Sequence, residues 1–329
     1  MQQLTNDLHE KLKNRKYQAN HKPQQENIIF TIRGKNIGTS QSFVCFQGLP
    51  KAGKSTFITS AVASAFTTWD IFEMKITFPK DRKRICYIDT ESSDYDYYRV
   101  LERIREQIIT DYLPHNFDSF LFREDSPNDI IQMIEIYLKE NSDCSILVID
   151  GILDLISDFN SVEQSFYLIQ WLKRITKQYN LLILCVLHLG KKDQFSIGHI
   201  GSYLDRKSQS VLKIEKNKET KTLDLIPTFL RSSDDFDPVS IMYQSGKWME
   251  VNNNPVNKDQ YIFGMEKISL INRLLYEPRS YKDLVQEFCE FTGKGQTTAK
   301  KIIKDWIAEG SILKTGDLYK QKLGNDNCS

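Results

Sequence analysis

The run Gly48, Leu49, Pro50, Lys51, Ala52, Gly53, Lys54, Ser55, with Thr56 next, has the spacing G-x-x-x-x-G-K-[ST]. Glycines at its two ends let a backbone curl until its N–H groups converge on one point, and a helix beginning there adds partial positive charge. Such a loop holds phosphate oxygens. Lys54 would neutralise the β- and γ-phosphates of a nucleotide and the Ser55 hydroxyl would give one oxygen to a divalent cation, so ATP and Mg²⁺ are the expected ligands. The cation shell also needs a carboxylate, and Asp150 supplies one at the end of the apolar run SILVID. In-line attack by water needs a further group to orient it, and RICYIDTE offers two carboxylates, Asp89 and Glu91. Strand alternation gives both the same nominal face, so periodicity does not choose between them.

This chemistry requires the loop to follow a strand and to open a helix. SFVCFQ precedes it and TFITSAVASAF follows. Along the chain, IIFTIRG, SFVCFQG, RICYID, SILVID and LLILCVLH are short β-branched or aromatic runs. Helical stretches separate them at Thr56 to Thr67, Asp94 to Thr110, Ile130 to Glu140 and Val162 to Gln178. The alternation predicts an α/β fold, a mainly parallel sheet with helices on both faces, whose ligands collect at the C-terminal strand ends. After Leu204 the runs VLKIEK, LDLIPTFL and PVSIMYQ predict antiparallel strands that complete the sheet edge.

Four segments are expected: a helical arm and linker over 1–27, the α/β domain over 28–250, a polar linker over 251–260, and a small unit with its tail over 261–329. The arm carries Leu4, Leu8 and Leu12 at helical spacing, which suits packing on a neighbouring subunit as well as it suits disorder. In the last segment, helices are predicted at Met265 to Leu275, Tyr281 to Phe291 and Thr297 to Ala308, followed by a hairpin turning at Thr315–Gly316–Asp317. Three helices and a wing resemble a winged-helix domain, whose third helix faces DNA. Lys300, Lys301 and Lys304 lie opposite the apolar stripe of that helix and are candidate DNA contacts, although such domains also dock proteins.

A formal charge of +1 gives no whole-chain argument for nucleic acid or membrane, so any basic surface must be local. The six cysteines have no paired short spacing, and four sit in apolar runs, which predicts buried thiols of a reducing cytoplasm. No segment approaches the roughly 18 uninterrupted apolar residues of a membrane span, so no membrane association is expected.

The set GLPKAGKST, ICYIDTE, ILVIDGILDLI and LILCVLHLGKKD, followed by IGHIGSYLDRKSQSVLKIEK, resembles the RecA-like ATPases. The similarity runs from about Ile28 to Met249 and is greatest to the plasmid RepA and DnaB-like hexameric replicative helicases, in the branch found on bacterial mobile elements. The resemblance implies that Glu91 polarises the attacking water and that His188, at the end of LLILCVLH, senses the γ-phosphate. It implies a DNA-contacting loop from Gly190 to Ser202, with Lys191, Lys192 and His199, and a homo-oligomer, either a hexamer-type ring or a filament, that binds single- or double-stranded DNA. It also implies a basic residue reaching the site from a neighbouring subunit, for which Arg231 in TFLRSS is the candidate. Phe229 stands where the replicative helicases have a lysine, and the plainer reading of Arg231 is a surface pair with Asp234 or Asp235. The expected function is that of an ATP-hydrolysing DNA motor or replication factor. Its alternative is a regulator that uses ATP as an assembly switch.

Overall fold

The computed structural model describes residues 2–17, 22–23, 25–190, 198–244, 246–251, 270–271, 274–275, 278–292 and 295–321. Helix α1 (Gln2–Asn14) precedes β1 (Ile28–Ile32), β2 (Lys35–Thr39), β3 (Ser42–Gly48) and helix α2 (Lys54–Ser64). Next come β4 (Met74–Ile76), β5 (Arg84–Asp89), α3 (Asp94–Ile108), β6 (Phe117–Leu121), α4 (Pro127–Glu140) and β7 (Cys144–Asp150). A 3₁₀ turn (Ile152–Leu155), α5 (Val162–Gln178), β8 (Leu182–His188) and α6 (Gly198–Lys207) follow. The strands β9 (Ser210–Asn217), β10 (Thr222–Leu230), β11 (Val239–Gln244) and β12 (Lys247–Glu250) complete this part.

Nine strands form the central sheet in the order β12-β11-β10-β9-β3-β8-β7-β5-β6. From β9 to β6 all neighbours run parallel, and β10, β11 and β12 add the antiparallel edge. Alternate residues of each central strand enter different layers. Val44, Phe46, Ile85, Tyr87, Ile146 and Val148 pack with α2 and α3. Phe43, Cys45, Cys86, Ile88, Leu147 and Ile149 pack with α4, α5 and α6. Burial on both faces is why these strands read as unbroken apolar runs and not as alternating ones. Three helices of the two layers start at serines that accept a backbone N–H from the first turn, Ser93 for α3, Ser126 for α4 and Ser161 for α5.

Several features depart from the expectation, and β2, β4, β6 and β12 are strands that the apolar runs did not announce. β1 is not a member of the large sheet; it pairs antiparallel with β2 and β4 in a separate three-stranded sheet. β2 has the polar sequence KNIGT and went unnoticed, because its burial comes from neighbours distant in the chain: a Cβ on Gly38 would stand 2.9 Å from Leu182 Cδ1. In addition, the expected loop from Gly190 to Ser202 is helical from Gly198 onward, where buried Ile200 and Leu204 face the second layer.

Helices Tyr281–Thr292 and Gln296–Ala308 pack through Leu284, Val285, Phe288, Ala299, Ile303 and Trp306. Strands β13 (Arg279–Ser280), β14 (Ile312–Thr315) and β15 (Leu318–Gln321) form a small sheet beside them, with Gly316 at a φ of 63° in the turn. The first helix expected here, Met265 to Leu275, and the linker 251–260 lie largely outside the described residues. Among the described residues no helix is long and apolar enough to cross a membrane.

Candidate nucleotide site

The candidate site lies along one edge of the large sheet, and strand register aligns it. Gly48 at the end of β3 pairs with His188 at the end of β8, and Asp89 at the end of β5 pairs with Asp150 at the end of β7. Side chains remote in sequence therefore emerge side by side. The loop between Gly48 and Lys54 is closely confined. A Cβ on Gly48 would stand 2.6 Å from the carbonyl oxygen of Ile214, and Gly53 has a φ of +94° with Leu223 Cδ1 2.4 Å from where its Cβ would be. A larger residue at Gly48 would meet the β9 backbone, and at Gly53 it would be strained by the left-handed φ and would displace the Leu223 side chain. Lys51, at the loop's bend, also adopts a left-handed φ of 63°. Helix α2 starts from Gly53 with no side-chain cap, unlike the serine-capped helices, so its amide end is left for a ligand.

The Lys54 ammonium is buried and lies 3.0 Å from the Gly48 carbonyl oxygen, 2.9 Å from that of Leu49 and 2.9 Å from His188 Nδ1. The other imidazole nitrogen, Nε2, is 3.1 Å from both carboxylate oxygens of Glu91. An ammonium only donates and a carboxylate only accepts, so the neutral imidazole with its proton on Nε2 satisfies both contacts at once. Lys54, His188 and Glu91 thus form one hydrogen-bonded chain. Burial pulls the Lys54 pKa down to about 8, against the attraction of Glu91 and Asp150. The bond from His188 holds the Glu91 carboxyl below its ordinary value.

Asp89 and Glu91 are separated by their surroundings. Asp89 is 2% exposed; its Oδ1 accepts the amides of Glu91 (2.9 Å) and Ser92 (2.8 Å), and its Oδ2 accepts the Ser92 hydroxyl at 2.7 Å. Its lone pairs shape the turn that follows β5. Glu91 lies beyond the last strand residue, so alternation no longer governs it, and its side chain is 45% exposed. Asp150 accepts a 2.8 Å hydrogen bond from the Tyr87 hydroxyl. Burial, reinforced by repulsion from Asp89, raises its pKa to about 6, with the Tyr87 bond opposing. Tyr87 was missed from sequence because an aromatic in an apolar strand reads as core.

Other candidates fall elsewhere. His199 is exposed at the start of α6, its amide donating to the Phe159 carbonyl at 3.2 Å. Lys191 and Lys192 lie outside the described residues. Arg231 follows β10 at the opposite end of the sheet: Leu230 pairs with Ser210, whereas the phosphate-loop end aligns with Ile214 and its partner Leu225. Its guanidinium donates to the Arg206 carbonyl at 3.0 Å, in place of the surface pair with Asp234 or Asp235. Lys300, Lys301 and Lys304 are exposed, opposite buried Ala299, Ile303 and Trp306.

Beside Thr56, in the first turn of α2, opens a cavity of about 810 Å³ between α2, α3 and the turn joining β11 to β12, with Trp69, Arg99, Tyr243 and Trp248 in its walls. Its size suits a nucleoside or a somewhat larger group.

No curated protein matches the chain. Residues 33–194 match the family described as AAA domain. That stretch runs from the turn after β1 to just past β8, so Lys54, Glu91, Asp150 and His188 fall inside it, whereas Arg231 and the C-terminal helices fall outside. The family implies nucleotide binding, typically with Mg²⁺, and the residues present fit both: an uncapped helix start, a confined glycine loop, the Ser55 hydroxyl and the Asp150 carboxylate. Residues 33–194 are a P-loop ATPase-like domain with a RecA-like fold.

Proposed function

We propose that this protein is an ATP-hydrolysing, oligomeric DNA-binding protein, a RepA or DnaB-like helicase or replication factor of a mobile element. The observation that carries the hydrolytic part is the chain Lys54, His188, Glu91 at the loop edge of the sheet. Lys54 would exchange the carbonyls of Gly48 and Leu49 for phosphate oxygens, and the amides at the start of α2 would point at the same phosphates. The nucleoside would enter the cavity beside Thr56. Ser55 and Asp150 would hold Mg²⁺, which neutralises phosphate charge when bound. Glu91, ionised and aimed by His188, would orient water for attack, and His188 would link the occupancy of Lys54 to the position of Glu91.

Arg231 lies at the sheet end opposite the loop of its own subunit, so any contact it makes with a nucleotide would be across an interface, in a hexamer-type ring or filament. The exposed Lys300, Lys301 and Lys304 support DNA contact by the C-terminal unit, read as a winged helix. The test is steady-state ATP hydrolysis with and without single-stranded DNA. Stimulation by DNA is the expected result, and slow turnover indifferent to DNA would favour the ATP-switched regulator instead.

A further inference from the structure

Glu91 can act only if its backbone is held, and the contacts that hold it come from two directions. From its own strand end, Asp89 accepts the amides of Glu91 and Ser92. From the neighbouring strand end, the residue before it, Thr90, is buried against the turn after β7. Its amide donates to the Asp150 carbonyl at 3.1 Å. Its hydroxyl oxygen lies 3.2 Å from that carbonyl, 3.1 Å from the Gly151 carbonyl and 2.7 Å from Asp154 Oδ2. A hydroxyl has one proton to give, and the shortest contact is to the only charged acceptor of the three, so the bond goes to Asp154.

Asp154 is itself placed by the 3₁₀ turn. Its amide donates to the Gly151 carbonyl at 3.2 Å, and Ile152 and Leu155 on either side are buried in the second layer. Gly151 makes the approach possible. At a φ of +111° it has no Cβ, and one built there would stand 2.1 Å from Thr90 Oγ1, 3.0 Å from Asp154 Oδ2 and 3.2 Å from Glu91 Cγ. The side chains of Thr90, Asp154 and Glu91 therefore converge over one glycine.

We propose that Asp154, through its hydrogen bond to Thr90, is a positioning residue that fixes Glu91 relative to Asp150 and His188 for attack on the nucleotide. This rests on the reading of the chain as an ATPase with Glu91 as the water-orienting group. Asp154 touches neither substrate nor water in this role; it ties the strand end that carries Glu91 to the strand end that carries Asp150. Loss of the tie leaves the phosphate loop and Lys54 in place, so it affects turnover and not binding.

The experiment compares the full chain with Asp154→Ala, Asp154→Asn, Thr90→Val, Thr90→Ser and Glu91→Gln. It measures kcat and KM for ATP, affinity for a non-hydrolysable ATP analogue, and Tm. Asp154→Ala and Thr90→Val should each lower kcat by about tenfold or more, the scale expected when a reacting group is displaced by a fraction of an ångström, with analogue affinity within about twofold of the parent. Asp154→Asn and Thr90→Ser keep an acceptor and a donor and should recover most of the rate. The double variant Asp154→Ala with Thr90→Val should be no worse than either single one, since both remove the same bond. Rates within about twofold of the parent for Asp154→Ala and Thr90→Val, while Glu91→Gln is inactive, overturn the positioning role alone. Equal losses in the conservative and disruptive variants overturn it too. Full turnover by Glu91→Gln instead overturns the assignment of Glu91 on which it rests.

Discussion

Glu91 and His188 stand 97 residues apart in the chain, yet Nε2 of the imidazole lies 3.1 Å from both oxygens of the carboxylate. The same ring accepts from Lys54 through Nδ1 at 2.9 Å. A charge arriving beside Lys54 competes directly with this ring for the ammonium, so phosphate binding and the setting of Glu91 share one side chain. His188→Ala should therefore reduce kcat by about tenfold or more while leaving analogue affinity within a few-fold, the pattern of an interaction that matters in the transition state. Steady-state kinetics beside equilibrium binding checks it.

Glu91→Gln and Asp89→Ala should fail in different ways. The first keeps shape and loses the charge that orients water, so turnover should drop by about a hundredfold or more with folding intact. The second strips the part-buried amides of Glu91 and Ser92 of their shared acceptor. It should cost about 1–3 kcal/mol of stability, read by chemical denaturation. A stable Asp89→Ala protein would remove the structural role given to Asp89.

Lys54→Ala should weaken an ATP analogue by about tenfold or more, equivalent to about 1.4 kcal/mol or greater, because the phosphates lose the one cation of the loop motif that faces them from α2. Isothermal titration measures it directly. Undiminished affinity would contradict the placing of phosphates on this loop.

Binding should also report on pH. Lys54 loses its charge as pH rises through about 8, and Asp150 gains its proton as pH falls through about 6. Phosphate prefers the ammonium and Mg²⁺ prefers the carboxylate, so in each case the ligand selects the charged form. Affinity for the Mg²⁺-bound analogue should be greatest between about 6 and 8, falling by up to about tenfold per pH unit on either side. Lys54→Ala should abolish the alkaline limb and Asp150→Asn the acid limb. A profile unchanged by either substitution would dissociate these groups from the ligand.

Arg231 leads to a mixing experiment. Alone, Arg231→Ala should bind ATP and turn over slowly, since a cation donated across an interface is worth about 10³-fold or more in rate. Mixed with Lys54→Ala protein, it should regain activity, because some interfaces would pair an intact loop with an intact Arg231. Full activity of Arg231→Ala by itself would leave only its bond to the Arg206 carbonyl.

Much of the α/β core is legible along the chain because each part is local. SFVCFQG, RICYID and the helix Val162 to Gln178 have the bounds read from their patterns, and the loop motif carries its own strand and helix. The apolar runs announce strands buried on both faces without saying in which order they lie. Order was decided by tertiary structure: β8 enters between β3 and β7, which brings His188 beside Lys54 from 134 residues away. The choice between Asp89 and Glu91 was likewise beyond periodicity, since the pleat stops at Asp89 and the next turn is shaped by hydrogen bonds. β2, β4, β6, β12 and α6 escaped notice because each is short or mixed in composition, and a strand such as KNIGT becomes apolar only in its surroundings. Local spacing determines which groups can meet a phosphate; strand order and the packing of turns determine which of them meet one another, because those contacts join residues that no short stretch of sequence contains together.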